Sequence, residues 1–197
     1  MKLDPDSLQR RVQAALDAHR RRVVGAEAGV PAAVLVLFVY PGDEPYLVFT
    51  KKTQTVPHHK GQFAFPGGVV ETFDGSRVET ALREAREEIG LDPDAVEVLG
   101  LFDDTPTNTS GFVITPVVGL YRGEPAFRAD GREIEQVVSI PLSQLLDPAC
   151  YREELWERSG ARRPVVFFTC GEHVVWGATG RILRDLLDVL FPEARHG

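Results

Sequence analysis

The feature that most constrains the fold of this chain is a helix predicted over residues 77–89, because both of its ends are marked in the sequence. Ser76 and Glu79 have the spacing of a capping box, which satisfies free backbone N–H groups at a helix start. Gly90 can adopt the left-handed conformation that commonly ends a helix. Between these signals, apolar residues recur with the helical period at Val78, Leu82, Ala85 and Ile89. The pattern predicts an amphipathic helix with one stripe facing a core.

The rest of the sequence interleaves short strand patterns with a few helices, without an internal repeat or a long linker. An amphipathic N-terminal helix is predicted at about 5–22 and a C-terminal helix at about 178–190. Strand patterns lie at about 32–40, 46–50, 62–65, 96–102, 112–121, 135–140, 165–169 and 173–176. The last two are predicted to form a hairpin around residues 170–172. Their irregular order predicts an α/β (α+β) fold in which a mixed β-sheet lies between α-helices. We expect a single domain over 1–197, with a core at about 31–190.

The charge balance narrows the classes of partner. The chain carries a formal net charge of −7, which disfavours nucleic acid and anionic membranes as partners because no basic surplus is available to neutralise phosphates. The most apolar stretch, residues 31–40, has about half the length needed to cross a bilayer. Cys150 and Cys170 lack the spacing of a metal or disulfide motif, and no signal peptide begins the sequence. These features predict a cytoplasmic protein with reduced thiols.

Three carboxylates share one face of the predicted helix. With about 100° per residue, Glu88 lies about 40° to one side of Glu84, and Glu87 lies about 60° to the other. Like charges at this spacing destabilise a helix by a few tenths of a kcal/mol per pair. A hard divalent cation such as Mg²⁺ offsets that repulsion, because it prefers carboxylate oxygens. The alternative is a solvated acidic face supported by nearby arginines.

The residues before and along this helix resemble a known motif. Gly68 and the run from Arg83 to Leu91 resemble the Nudix box, whose usual form is G-x5-E-x7-R-E-U-x-E-E-x-G-U with U aliphatic. The spacing from the glycine to the arginine is one residue longer than usual. Counted back from Arg83, the position of the first glutamate therefore falls on Gly75, beside Asp74.

The longer spacing resembles the coenzyme A diphosphatase branch of the family, where G-G-x-x-D-x-x-D-x-S precedes a T-A-L-R-E-A helix. Here residues 67–76 read GGVVETFDGS and residues 80–85 read TALREA. Upstream, residues 50–68 resemble the segment T-x-R-S-x-x-L-R-x-H-x-G-Q-V-A-F-P-G-G, which this branch links to coenzyme A recognition. Lys52 stands at the first arginine of that segment and Pro57 at the second.

The resemblance covers about residues 34–183 and implies a Nudix fold. It implies metal-dependent hydrolysis of coenzyme A to 4′-phosphopantetheine and adenosine 3′,5′-bisphosphate, with Mg²⁺ as cofactor and Mn²⁺ as an alternative. The implied partner is this small molecule, and the sequence does not predict an oligomeric state. Two alternatives stay open: a Nudix hydrolase acting on ADP-ribose or a dinucleoside polyphosphate, and a non-catalytic nucleotide sensor. The retained carboxylates of the box disfavour the sensor.

The resemblance also implies roles for residues of the box. Glu84, Glu87 and Glu88 are the implied metal ligands and form the implied catalytic centre, although Glu87 can instead orient a water molecule. The carbonyl group of Gly68 is a further candidate ligand, with an ordinary turn glycine as the alternative. Arg83 is expected to hold the preceding loop through Glu71 or Asp74.

A glutamate outside the box is a further catalytic candidate. Glu133 precedes residues 137–142, which resemble the family's E-V-x-x-V-x-x-V-P-L segment. The resemblance makes Glu133 a candidate metal ligand or general base, with Glu135 as the second choice. The alternative is a solvated loop glutamate.

Candidate contacts for the substrate lie mainly in the segment linked to coenzyme A recognition, and they are Lys51, Lys52, His59, Lys60 and Phe112. The lysines can bind phosphate groups as point charges. Each of them can also be an ordinary surface lysine, and His59 an ordinary surface histidine. Phe112 can stack on an adenine ring or belong to the core.

Overall fold

The structure is a computed structural model that describes residues 3–54, 61–107, 110–158 and 160–195. The strands are β1 (Val30–Val39), β2 (Tyr46–Lys52), β3 (Phe63–Ala64), β4 (Gly67–Val69), β5 (Val96–Leu101), β6 (Thr105–Pro106), β7 (Phe112–Tyr121), β8 (Ile134–Pro141), β9 (Tyr151–Arg158), β10 (Ala161–Cys170) and β11 (His173–Trp176). The helices are α1 (Pro5–Ala18), α2 (Arg77–Ile89), α3 (Leu142–Leu145), α4 (Gly177–Leu190) and α5 (Pro192–Arg195).

The main sheet is mixed and has β1 near its centre. Its strands follow the order β3-β2-β1-β7-β5, with β4 also paired to β1, β6 to β7 and β8 to β2. Strands β1 and β7 run parallel, whereas β2 and β4 pair with β1 in the antiparallel sense. The start of β1 therefore lies beside β4, and its end lies beside β2. This arrangement brings the glycine-rich strand β4 into the body of the sheet.

Helices cover both faces of this sheet. Successive residues of a strand point to opposite faces, and β1 is buried on both. Leu35 and Leu37 are fully buried in one apolar cluster with Ala85 of α2. Val36 and Phe38 are fully buried in a second cluster that includes residues of α1 and α4. The predicted mixed sheet between helices is confirmed.

A second, three-stranded antiparallel sheet has the order β11-β10-β9. Strands β10 and β11 form the hairpin that the sequence predicts, whereas no strand was predicted over Tyr151–Arg158. The sequence of β9 is mostly charged and lacks an apolar alternation, because it is an edge strand of this sheet. One of its residues, Trp156, packs against Phe167 and Trp176. No helix within the described residues is long and apolar enough to cross a membrane.

The N-terminal helix is shorter than predicted. It ends at Ala18 instead of continuing to residue 22. The next residues pair with another segment instead of continuing the helix: the Arg22 N–H group donates to the Asp103 carboxylate, and the Arg22 carbonyl accepts from the Asp104 N–H group. The Arg21 side chain donates to the Phe102 carbonyl. These long-range hydrogen bonds replace those of a further helical turn.

Candidate active site

Helix α2 has the bounds that its end signals predict. The Ser76 hydroxyl accepts a hydrogen bond from the Glu79 N–H group at 3.1 Å. In return, the Glu79 carboxylate accepts one from the Gly75 N–H group at 2.8 Å. Gly90 ends the helix in the left-handed conformation, with φ 66°. Local sequence therefore determines where the carboxylates of this helix begin and end.

The loop before α2 is held to the helix by Arg83. The guanidinium donates two hydrogen bonds to Asp74, each 3.0 Å long, and a third to the Val69 carbonyl at 3.1 Å. The hydrogen bonds from Arg83 are the main reason why the pKa of Asp74 lies below its usual range. The expected loop-holding role of Arg83 is confirmed in the structure, and the partner is Asp74 and not Glu71.

Gly67 and Gly68 of β4 begin the segment 67–76 that leads to α2, which we call the glycine loop. These two glycines let the segment approach its neighbours closely. A Cβ atom on Gly68 would lie 2.4 Å from the Glu84 carboxylate carbon. A Cβ atom on Gly67, whose φ is 152°, would lie 2.3 Å from the Ala33 carbonyl oxygen of β1. Gly67 is therefore required by the backbone of the sheet, whereas Gly68 makes room for a side chain of the candidate site.

Glu88 is the most buried carboxylate of the helix, with 5% of the residue exposed. One of its oxygens, Oε1, accepts a hydrogen bond from Lys52 Nζ at 2.6 Å, and the other, Oε2, accepts one from the Gly67 N–H group at 3.0 Å. Burial raises the pKa of Glu88 in spite of these two donors. Burial also raises the pKa of Glu84, although Arg83 Nη1 lies 2.7 Å from its Oε1 atom.

The other two predicted catalytic carboxylates lie at the rim. Glu87 has a side chain that is 61% exposed, and its Oε1 atom lies 3.6 Å from Arg83 Nη1. Glu133, just before β8, has a side chain that is 65% exposed, and its Oε2 atom lies 3.6 Å from Lys52 Nζ. Ion pairs with Arg83 or Lys52 thus link a set of residues that we call the acidic cluster: Glu84, Glu87, Glu88 and Glu133.

The two adjacent lysines of β2 have different surroundings. Lys52 lies between Glu88 and Glu133; burial by itself would lower its pKa, but the two carboxylates outweigh burial and raise the pKa. Lys51 Nζ instead pairs with Glu135 at 3.2 Å. Both lysines were predicted as phosphate contacts, and the pairing of Lys52 with Glu88 was not predicted. Strand alternation was the available signal, because it separates adjacent side chains.

Phe112, a further predicted contact, is not brought to the acidic cluster. Phe112 is half-buried at the first residue of β7 and shares a strand face with Ile114, which packs against the cluster containing α1 and α4. That face is opposite the one covered by α2. His59 and Lys60 lie outside the described residues.

Comparison with known proteins identifies the family. The family model of the NUDIX domain matches residues 29–162. The chain belongs to the Nudix family. It is 35% identical to the uncharacterized Nudix hydrolase NudL of Photorhabdus laumondii, over 78% of this chain and 82% of that protein. It is 40% identical to NudL of Salmonella paratyphi B, over 79% of this chain and 80% of that protein.

A solved structure supports the Nudix fold. A MutT/nudix family protein from Enterococcus faecalis superimposes with a TM-score of 0.52 at 19% identity, covering 97% of this chain and 82% of that one. As a member of the family, the protein is a hydrolase that acts on pyrophosphate bonds of nucleoside diphosphate derivatives. Nudix hydrolases generally use divalent metal ions such as Mg²⁺.

The acidic cluster has the chemistry that such an ion requires. Hard divalent cations prefer carboxylate oxygens, and the four acids of the cluster share two cationic partners within the described residues, Lys52 and Arg83. Glu84 and Glu88 are held as partly buried acids beside the glycine loop, where added positive charge stabilises their ionised forms. The described side chains do not by themselves form a group of three ready to hold a metal in this arrangement. For α2 to hold a cation, some of the ion pairs of its carboxylates would have to rearrange.

Proposed function

We propose that this Nudix protein hydrolyses the diphosphate linkage of coenzyme A, giving 4′-phosphopantetheine and adenosine 3′,5′-bisphosphate. The observation that carries the hydrolytic centre is the convergence of the acidic cluster on the glycine loop, with Glu88 buried against the Gly67 N–H group. The choice of coenzyme A rests on residues 50–68 and on the longer spacing between Gly68 and Arg83, which resemble the coenzyme A diphosphatase branch.

The proposed roles follow from position and charge. Glu84, Glu87 and Glu88 hold Mg²⁺, or Mn²⁺ in its place, with the Gly68 carbonyl as a further ligand. A bound divalent cation neutralises charge on the diphosphate and lowers the pKa of a bound water molecule. Arg83 keeps the loop against the helix through Asp74.

Glu133 is the proposed general base. Its side chain is exposed at the rim of the site, so it can reach a water molecule that attacks phosphorus in line with the leaving group. The buried Glu88 has both oxygens engaged by protein donors and is less suited to accept that proton.

The substrate's phosphate groups need cations to bind them in a protein with a net charge of −7. Lys51 and Lys52 of β2 and the following His59 and Lys60 are the proposed contacts, as the resemblance implies. Phe112 is not assigned a substrate contact, because it shares a strand face with Ile114 on the side of the sheet opposite α2. Of these residues, Lys52 is the one that ion pairs join directly to the acidic cluster.

The test is a substrate panel with purified protein and Mg²⁺: coenzyme A, ADP-ribose and a dinucleoside tetraphosphate, with products separated by chromatography. We expect 4′-phosphopantetheine from coenzyme A and no product after metal chelation. Cleavage of ADP-ribose or of the dinucleoside compound without cleavage of coenzyme A would refute the substrate and leave the reaction class intact. Binding of a nucleotide without cleavage of any compound would instead indicate a sensor.

Variants test the assigned residues in the same assay. Glu88→Gln removes a negative charge at nearly constant volume, and we expect turnover to fall by about 100-fold or more. Glu133→Gln is expected to reduce turnover by about 100-fold, because an amide cannot accept the proton of the attacking water. Glu97→Gln on β5, which removes the charge that pairs with Arg122, is the matched control and should retain turnover. Near-normal turnover of Glu133→Gln beside an inactive Glu88→Gln would exclude Glu133 as the base.

A further inference from the structure

We propose that Lys52 is an internal counter-cation of the metal site. Its ammonium group pairs with Glu88 and moves to Glu133 when a metal ion binds. This inference rests on the proposed function, because it concerns the same carboxylates. It adds a competition between a side chain of the protein and the metal ion for one buried acid. Lys52 is accordingly a positioning residue, which sets the metal affinity and the geometry of Glu88.

The contacts of Glu88 require such a competition. Lys52 Nζ lies 2.6 Å from Oε1, and the Gly67 N–H group lies 3.0 Å from Oε2, so each oxygen already has a donor from the protein. The side chain of Glu88 is 6% exposed and that of Lys52 is 18% exposed. A buried carboxylate is strongly unfavourable without a partner. In the structure, Lys52 is the charged partner of Glu88.

A divalent cation and an ammonium group repel each other at short range, and the repulsion is stronger in a partly buried site than in water. The Gly67 N–H group belongs to the backbone of β4 and is held by the pairing of β4 with β1. The lysine side chain, by contrast, is a flexible chain of four methylene groups. Lys52 is therefore the donor that gives way when a cation approaches Glu88.

Glu133 offers the displaced ammonium group a second partner. Its Oε2 atom lies 3.6 Å from Lys52 Nζ, which is within ion-pair range but longer than a hydrogen bond. A shift of the ammonium group by about 1 Å toward Glu133 would complete that hydrogen bond. Because the Glu133 side chain is 65% exposed, it can also move to meet the lysine. Lys52 can thus leave Glu88 without losing a charged partner, and the other oxygen of Glu133 stays available for its proposed role as general base.

The chain contains its own matched control. Lys51 precedes Lys52 in β2 and pairs with Glu135 at 3.2 Å, and no described ion pair joins it to the acidic cluster. Lys51→Met and Lys52→Met remove the same charge from neighbouring positions. A general electrostatic effect on metal affinity would appear in both variants, whereas competition for Glu88 would appear only in Lys52→Met.

The first experiment is calorimetric titration of the substrate-free protein with Mg²⁺. We expect Lys52→Met to lower the dissociation constant for Mg²⁺ by about tenfold, Lys51→Met to change it by less than about twofold, and Lys52→Arg, which keeps the charge, not to lower it. An unchanged or raised dissociation constant in Lys52→Met would refute the competition. If neither the wild-type protein nor Lys52→Met binds Mg²⁺, the proposed metal centre itself is refuted, and the competition with it.

The second experiment does not use Lys52→Met, so it applies even if that variant does not fold. In protein labelled with ¹⁵N-lysine, the side-chain ammonium signal of Lys52 is assigned from its loss in Lys52→Arg and followed during Mg²⁺ titration. We expect the Lys52 signal to shift until it saturates, with its midpoint at the same Mg²⁺ concentration as in calorimetry. The Lys51 signal should change little. In Glu133→Gln, the saturated signal should differ from that of the wild-type protein. A Lys52 signal that stays constant while Mg²⁺ binds would refute the transfer.

Discussion

The substitution Gly68→Ala tests whether the glycine loop exists to accommodate the Glu84 carboxylate. A Cβ atom at Gly68 would lie 2.4 Å from Cδ of Glu84, and 2.5 and 2.6 Å from its two oxygens. Ordinary contacts of a Cβ atom begin at 3.4 Å. The carboxylate must therefore move by about 1 Å, which is a misplacement that can reduce catalysis by about 100-fold.

The stability of Gly68→Ala should change little. The φ angle of Gly68 is not in the left-handed region, so alanine fits its backbone. The atoms that must move belong to the end of a flexible side chain. We expect a change of less than about 1 kcal/mol in the free energy of unfolding, because alanine also restricts the unfolded chain.

The neighbouring substitution Gly67→Ala is the contrasting control. Its Cβ atom would lie 2.3 Å from the Ala33 carbonyl oxygen and 2.6 Å from the Val34 Cα atom, and φ is 152°. Backbone atoms of β1 would have to move, so we expect a destabilisation of more than about 2 kcal/mol. Gly42→Ala, with no atom within 4 Å of its Cβ, is the neutral control.

The assay combines three measurements on each variant: the free energy of unfolding from urea denaturation, the Mg²⁺ dissociation constant and the turnover of the substrate identified by the panel. Gly68→Ala should lose turnover and metal affinity while remaining folded. Wild-type metal affinity and turnover in Gly68→Ala would refute the steric reasoning. A destabilisation as large as that of Gly67→Ala would show that Gly68 is needed for the backbone.

The remaining predictions concern two other ionic groups. Arg83→Lys keeps the charge but loses the paired hydrogen bonds to Asp74, so we expect turnover to fall by about tenfold in steady-state kinetics; unchanged turnover would contradict the loop-holding role. Asp104 is 4% exposed and pairs with Arg21 at 2.8 Å, and Asp104→Asn should destabilise the protein at neutral pH by about 3 kcal/mol in urea denaturation. Burial opposes ionisation of Asp104, but hydrogen bonds from Val24, Thr115 and Arg21 outweigh it and lower the pKa. The stabilisation is therefore complete above the unfolded pKa of about 4 and is lost as the pH falls through the lower folded pKa. The difference between wild type and Asp104→Asn should accordingly narrow in acid, and a constant difference would contradict this assignment.

The parts of the fold that sequence predicted well are those whose determinants are local. Helix α2 runs over Arg77–Ile89 as predicted, because its cap and its terminal glycine act within a few residues of its ends. The hairpin of β10 and β11 was recognised for the same reason, since both strands flank one short turn. The N-terminal helix was predicted too long and β9 was missed. Hydrogen bonds from Arg21 and Arg22 to the distant residues 102–104 replace the last predicted turn of the helix. Strand β9 pairs with the next strand in the chain, β10, and was missed because its mostly charged sequence lacks the apolar alternation of a strand.

The sequence by itself determined which acids lie on one helix face, because 3.6 residues per turn brings Glu84, Glu87 and Glu88 together in any helix. Tertiary structure alone decided how each acid is neutralised and how deeply it is buried. Lys52 is 36 residues from Glu88 in the chain, and their 2.6 Å contact exists only because β2 and α2 pack beside the same central strand. Helical periodicity predicts the angular position of a side chain, whereas burial and ion pairing depend on which surfaces the fold brings together.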